Sequence, residues 1–190
     1  MNIDRKLNLV IPLTRDTGEI YVHSTPISRP TFEMFFKVIA QTYGAMMAQN
    51  YTAFSAPKIA ALLLKDKAIE MRAWDGPNGV EAGLIAEIHR LTNIVMPGPN
   101  GWMTLPYQDA IQQNKLDDDE LTEVENILVF FILVSAMVRR AEMEPMLSIL
   151  STLWAVQTTS SNCTEFARSL PTSTKAETSG EKATPSSMPY

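Results

Sequence analysis

Asp117-Asp118-Asp119-Glu120-Leu121-Thr122-Glu123-Val124-Glu125-Asn126-Ile127-Leu128-Val129-Phe130-Phe131-Ile132-Leu133-Val134-Ser135-Ala136-Met137-Val138-Arg139-Arg140 is the stretch on which the rest of the chain depends. It opens on acids, passes through an unbroken apolar run and closes on two arginines, a charge order that suits the dipole of a single helix. Asp117 followed three residues later by Glu120 fits a capping box with Asp as the cap. The apolar run is too short for a bilayer, which needs roughly 20 residues. It is apolar on every side, so it must be covered on every side, by its own domain or by a partner.

The flanking sequence supplies candidates for that cover. Leu7 to Thr14 and Glu19 to His23 read as the two strands of a hairpin spanning 7–23, with Gly18 supplying positive φ at the turn. Pro12 lacks an N–H and places its strand at an edge or a bulge. Ser28-Arg29-Pro30 starts a helix carrying Phe32, Phe35, Phe36, Ile39 and Tyr43 at helical spacing. Ser55-Ala56-Pro57 opens a second, marked by Ile59, Leu62, Leu63, Ile69 and Trp74 and stopped at Asp75–Gly79. Val80 to about Asn93 reads as a third, Met96 to Gly101 as a loop, and the residues after Pro106 as a short helix. A last helix has Pro145 in its first turn. The expected fold is therefore mainly α: about six helices, a small N-terminal β-hairpin and a flexible C-terminal tail. The expected organisation is one domain over 1–156 and a Ser/Thr/Pro-rich, largely disordered tail over 157–190, within which Phe166 and Leu170 have the apolar bulk to dock.

Composition narrows the function. The net charge is −5, and the acid excess lies in 117–156, with 8 acidic groups against 2 basic. No basic stripe suits a nucleic-acid backbone. One cysteine, Cys163, excludes an intramolecular disulfide and a cysteine zinc site. Met1-Asn2-Ile3-Asp4-Arg5 has no apolar signal region, so the expectation is a soluble intracellular protein with no membrane span.

A search for chemistry finds little. His23 and His89 have no motif around them, Cys163 has no base beside it, and the eight glycines form no phosphate-cradling loop. The run of Asp lacks the alternating ligands of a calcium loop. The reading is of a non-enzymatic protein with no cofactor and no metal. The candidate partner-binding or self-assembly residues are Leu128, Phe130, Phe131, Val134 and Met137 on the central helix, with Trp102 as either an anchor for a partner or a plug for the core.

The chain also resembles a family. Leu9-Val10-Ile11-Pro12-Leu13, Gly18 to Ser28, Gly83-Leu84-Ile85-Ala86-Glu87-Ile88-His89-Arg90-Leu91-Thr92-Asn93, Gly101-Trp102, Glu125 to Phe131 with Ser135-Ala136, and Asn162-Cys163-Thr164-Glu165-Phe166 with Ser169-Leu170-Pro171 are similar, in order and texture, to tail assembly chaperones of long-tailed, HK97-like bacteriophages. That resemblance implies a protein of the host bacterial cytoplasm, absent from the mature virion. It would bind and solubilise the tape measure protein and help recruit the major tail tube protein through a longer form made by ribosomal frameshifting. A homo-oligomer is also expected. The alternative is a structural tube or connector component of the virion.

Overall fold

A computed structural model describes residues 7–16, 18–48, 55–99 and 101–171. Its first two strands, β1 (Asn8–Arg15) and β2 (Gly18–Ser24), form the expected hairpin, paired from Leu9 with Ser24 to Arg15 with Gly18, and Gly18 has φ +121° at the turn. Helix α1 (Arg29–Ala48) starts where Ser28 Oγ accepts the Thr31 N–H at 3.3 Å. Helix α2 (Ala56–Glu70) has Pro57 in its first turn.

The next helical stretch corrects the expected third helix. It is π-helical over Val80–Ile85, α-helical as α3 over Ala86–Arg90, and stops there. Thr92 onward is strand, not helix. β3 (Thr92–Gly98) and β4 (Gly101–Pro106) form a second hairpin across what the sequence presents as a Pro/Gly loop. Thr92-Asn93-Ile94-Val95-Met96 supplies the β-branched residues a strand favours. Pro97 and Pro106 are tolerated because each stands where a hairpin needs no ladder N–H from it.

Helix α4 (Tyr107–Gln112) follows, then α5 (Asp118–Met137) and α6 (Arg140–Trp154). The central helix ends at Met137, before the arginine pair, and Pro145 falls inside α6 instead of in its first turn. Beyond Ala155, whose φ of +53° ends α6, the chain adds β5 (Gln157–Thr159) and α7 (Cys163–Ser169). Residues 172–190, the greater part of the expected tail, lie outside the described residues.

The fold class is thus not mainly α with a small hairpin. Among the described residues, five strands form one antiparallel sheet in the order β4-β3-β2-β1-β5, accompanied by seven α-helices. β5 pairs with β1 only from Asn8 to Val10, so Pro12 lies on the part of β1 that β5 leaves uncovered.

Alternation along the strands gives the sheet two different faces. Leu9, Ile11, Leu13, Ile20, Val22 and Ile94 point into a core shared with Phe35, Val38 and Ile39 of α1 and with Ala60, Leu63 and Leu64 of α2. Helix α5 runs through that core. It touches α1, α2, α3, α6 and β1, and every residue from Asn126 to Val134 is buried. The helix that is apolar on all sides is covered on all sides by its own chain.

The other face carries Val10, Tyr21, His23, Val95 and Trp102, and α7 covers it. The Phe166 ring stands edge-on to Tyr21 at 5.4 Å and lies 5.9 Å from His23. Asn8 Nδ2 and His23 Nε2 both donate to the Ser161 carbonyl, at 2.9 and 3.0 Å. Asn162 and Glu165 form a capping box that starts α7 immediately after this anchor.

Candidate functional site

A cleft of about 520 Å³ opens between α2, the π-helical turn with α3, α4 and α5. Its floor depends on Asn126, the polar residue at the start of the buried stretch of α5. Asn126 Oδ1 accepts the Ala61 N–H of α2 at 3.0 Å, and its Nδ2 donates to the Thr122 carbonyl at 2.8 Å. A buried amide is stable only when its groups are paired; the bond to Ala61 ties α2 to α5 at the cleft, and the bond to Thr122, within α5, holds the amide in place.

The π-helical turn sets the opposite wall. Gly83 admits the Phe35 ring of α1, since a Cβ there would stand 2.3 Å from Phe35 Cζ. The π-helical turn that contains Gly83 also holds Glu81 and Ile85, both of which line the cleft. Such wide turns, with one extra residue per bond, re-aim the side chains they carry.

The polar end of the cleft is built around His89. Its Nε2 lies 3.3 Å from Glu125 Oε1, and its Nδ1 lies 2.6 Å from Gln108 Nε2. With Gln108 donating to Nδ1, the imidazole proton sits on Nε2 and faces Glu125. The ring rests 5.0 Å from that of Tyr107. Tyr107 is fully buried and its hydroxyl has no partner among the described residues. Burial, reinforced by the Glu125 charge, pushes the phenol strongly upward and keeps it protonated.

The apolar end holds Leu62, Trp74, Ile85 and Ala61. Lys65 Nζ lies 5.1 Å from the centre of the Trp74 ring, a cation–π contact at the rim. Leu62 and Ile69, seven residues apart on α2, are 65% and 54% exposed. Both are among the apolar residues by which the sequence marks this helix. The buried positions of α2 are Ala56, Pro57, Ala60, Leu63, Leu64 and Ala68, which leaves Leu62 and Ile69 on the outer side of the helix. On α1, Met34 and Phe36 are exposed as well.

Both His89 nitrogens are engaged, so neither offers a free lone pair to a substrate or a metal. Among the described residues no three His, Cys, Asp or Glu side chains are placed to hold a metal ion. Cys163 lies apart, on α7, where burial pushes its thiol up to about 11 and so away from the reactive thiolate.

The residues singled out from sequence are scattered by the fold. Leu128, Phe130, Phe131 and Val134 are buried in the chain's own core, and Met137 is half-buried at the end of α5. Trp102 lies on β4, half-exposed, 5.5 Å from Tyr21, with its Nε1 donating to the Pro171 carbonyl at 2.8 Å. None of the six lines the cleft. The residues that do line it, Leu62, Trp74, His89, Gln108 and Glu125, come from four helices and the turn after α2. The single signal in the sequence was the polar Asn126 beside an otherwise apolar run. Comparison with protein-family models, curated proteins and solved structures returns no match.

Proposed function

We propose that this chain is a non-enzymatic assembly chaperone that binds a long, partly apolar helical client, the tape measure protein of a long-tailed phage, and keeps it soluble in the host cytoplasm during tail morphogenesis. Recruitment of tail tube subunits by a longer frameshifted form, and absence from the finished virion, belong to the same reading. It rests on the resemblance above and on one structural observation. Leu62, at the rim of the cleft beside Ala61, Trp74 and Ile85, and Ile69, two turns further along α2, are large exposed apolar side chains on one helix.

A client helix presenting apolar residues two turns apart matches that pair. Each large apolar side chain that it covers contributes about 1.5–3 kcal/mol. Glu81 and Glu125 at the same cleft favour basic residues on the client. The surface thus lies on α2, and the aromatic residues of α5 serve the fold beneath it.

The test is co-expression with the tape measure protein encoded alongside. A complex on gel filtration is expected with the wild-type chain, and its loss with a folded Leu62→Asp/Ile69→Asp variant. Equal complex formation by both would contradict this site. A structural role in the virion is the second reading, favoured by the open edge of β4. Abundant copies in purified particles, detected by mass spectrometry, would support it over the chaperone.

A further inference from the structure

The two edges of the sheet differ. At one, β5 covers Asn8 to Val10, and the uncovered remainder of β1 carries Pro12 and ends at Arg15, held against Glu120. A proline and a charged residue are what natural sheets place on an edge to stop another strand from adding to it. At the other edge, β4 reads Gly101-Trp102-Met103-Thr104-Leu105-Pro106, six residues without a charge. Met103 is 42% exposed and Thr104 is exposed.

The phase of the ladder determines which backbone groups face outward. Pro97 is opposite Trp102 and Pro106 is opposite Asn93, so both prolines fall on alternate pairs of the same set. Neither proline has an N–H to exchange, which makes that set the non-hydrogen-bonded pairs. Trp102 and Thr104 therefore turn their N–H and C=O groups away from β3. Among the described residues, no hydrogen bond reaches those groups.

We propose that the β4 edge is a self-association surface, on which β4 of a second copy adds antiparallel about a two-fold axis through Met103. In that register Trp102 of each copy faces Thr104 of the other, both exchange N–H and C=O groups, and the two sheets become one. The absence of charge on β4 decides for a second copy, because two identical strands meet here without repulsion. A two-fold interface is self-complementary by construction. The proposal stands apart from the client-binding reading above and does not depend on which client is bound.

Met103 pairs with itself at a non-hydrogen-bonded position, where Cα atoms stand about 4.5 Å apart and a disulfide can close. The test uses the full chain with Cys163→Ala. Met103→Cys in that background is expected to give disulfide-linked dimers on mild oxidation, and Thr14→Cys on the guarded edge none. Light scattering is expected to give two chains per particle for the wild type. Thr104→Pro, which removes an outward N–H, and Met103→Lys, which sets two like charges on the axis, are expected to weaken the dimer about tenfold or more with helical signal unchanged. A single-chain mass for the wild type, or a dimer that neither cross-links at Met103 nor responds to either variant, would overturn the proposal. Client solubilisation persisting in that case would leave the chaperone reading standing.

Discussion

Gly83 and Phe35 are a pair in which one residue has no side chain because the other fills its place. Gly83→Ala is predicted to destabilise the protein by roughly 1–3 kcal/mol, as overpacked cores do. Phe35→Leu is predicted to recover part of that loss in the double variant. Denaturant melts of the four proteins measure the coupling, and additive effects would contradict it. His23 offers a second residue-scale prediction. Burial lowers its pKa below the ordinary value near 6.5, while its Nε2–H holds the Ser161 carbonyl. The folded state therefore binds fewer protons than the unfolded one. This group's contribution is full above about pH 6.5 and is lost as pH falls from there toward the folded value. The melting temperature is expected to fall less between pH 7.5 and 5.5 in His23→Gln than in the wild type. Parallel slopes would contradict that. Neither residue's role was legible in the sequence, because Gly83 and His23 have no local motif and meet their partners only through the tertiary fold.

At the scale of the element, α5 was the most legible part of the chain. Its capping box is present as the spacing indicates: Glu120 N–H donates to Asp117 Oδ1 at 2.8 Å and Asp117 N–H to Glu120 Oε2 at 3.0 Å. Glu120 also receives Arg15 Nε from the first hairpin at 2.7 Å, which sequence distance concealed. Asp117→Ala is predicted to cost about 0.5–2 kcal/mol through the lost cap. The partly exposed Arg15–Glu120 pair adds little to that. Phe130→Ala with Phe131→Ala removes two fully covered rings, each carrying roughly 3–5 kcal/mol, so that variant is predicted to unfold outright. A folded double variant that had lost only an oligomeric contact would contradict the burial of α5. The second hairpin was the least legible element. Pro97, Gly98, Pro99 and Gly101 are the residues that punctuate loops. What the local pattern does not carry is that an edge hairpin can place its prolines off the ladder.

For the whole molecule, the sheet changes what the C-terminal stretch means. Composition marked 157–190 as a largely disordered tail in which Phe166 and Leu170 have the bulk to dock; Gln157–Thr159 extends the sheet and Phe166 packs on Tyr21 across its outer face. The apolar groups involved are few, and their value depends on a sheet face that sequence alone did not place. A chain ending at Val156 is predicted to lose several degrees of melting temperature and to bind hydrophobic dye at the uncovered Val10, Tyr21 and Val95. An unchanged melt without dye binding would contradict that role for α7. The cleft was invisible for a related reason. Its lining is gathered from several elements, and the exposed Leu62 and Ile69 carry the same periodic signal as core residues. With α5 buried, the proposed client-binding surface moves from α5 to α2.

Client binding at α2 is read out by the soluble fraction of the tape measure protein. Co-expressed with the wild-type chain, the tape measure protein is predicted to move from the insoluble to the soluble fraction. It should return to the insoluble fraction with the folded Leu62→Asp/Ile69→Asp variant. A tape measure protein whose solubility is the same alone, with the wild type and with the variant would contradict the account.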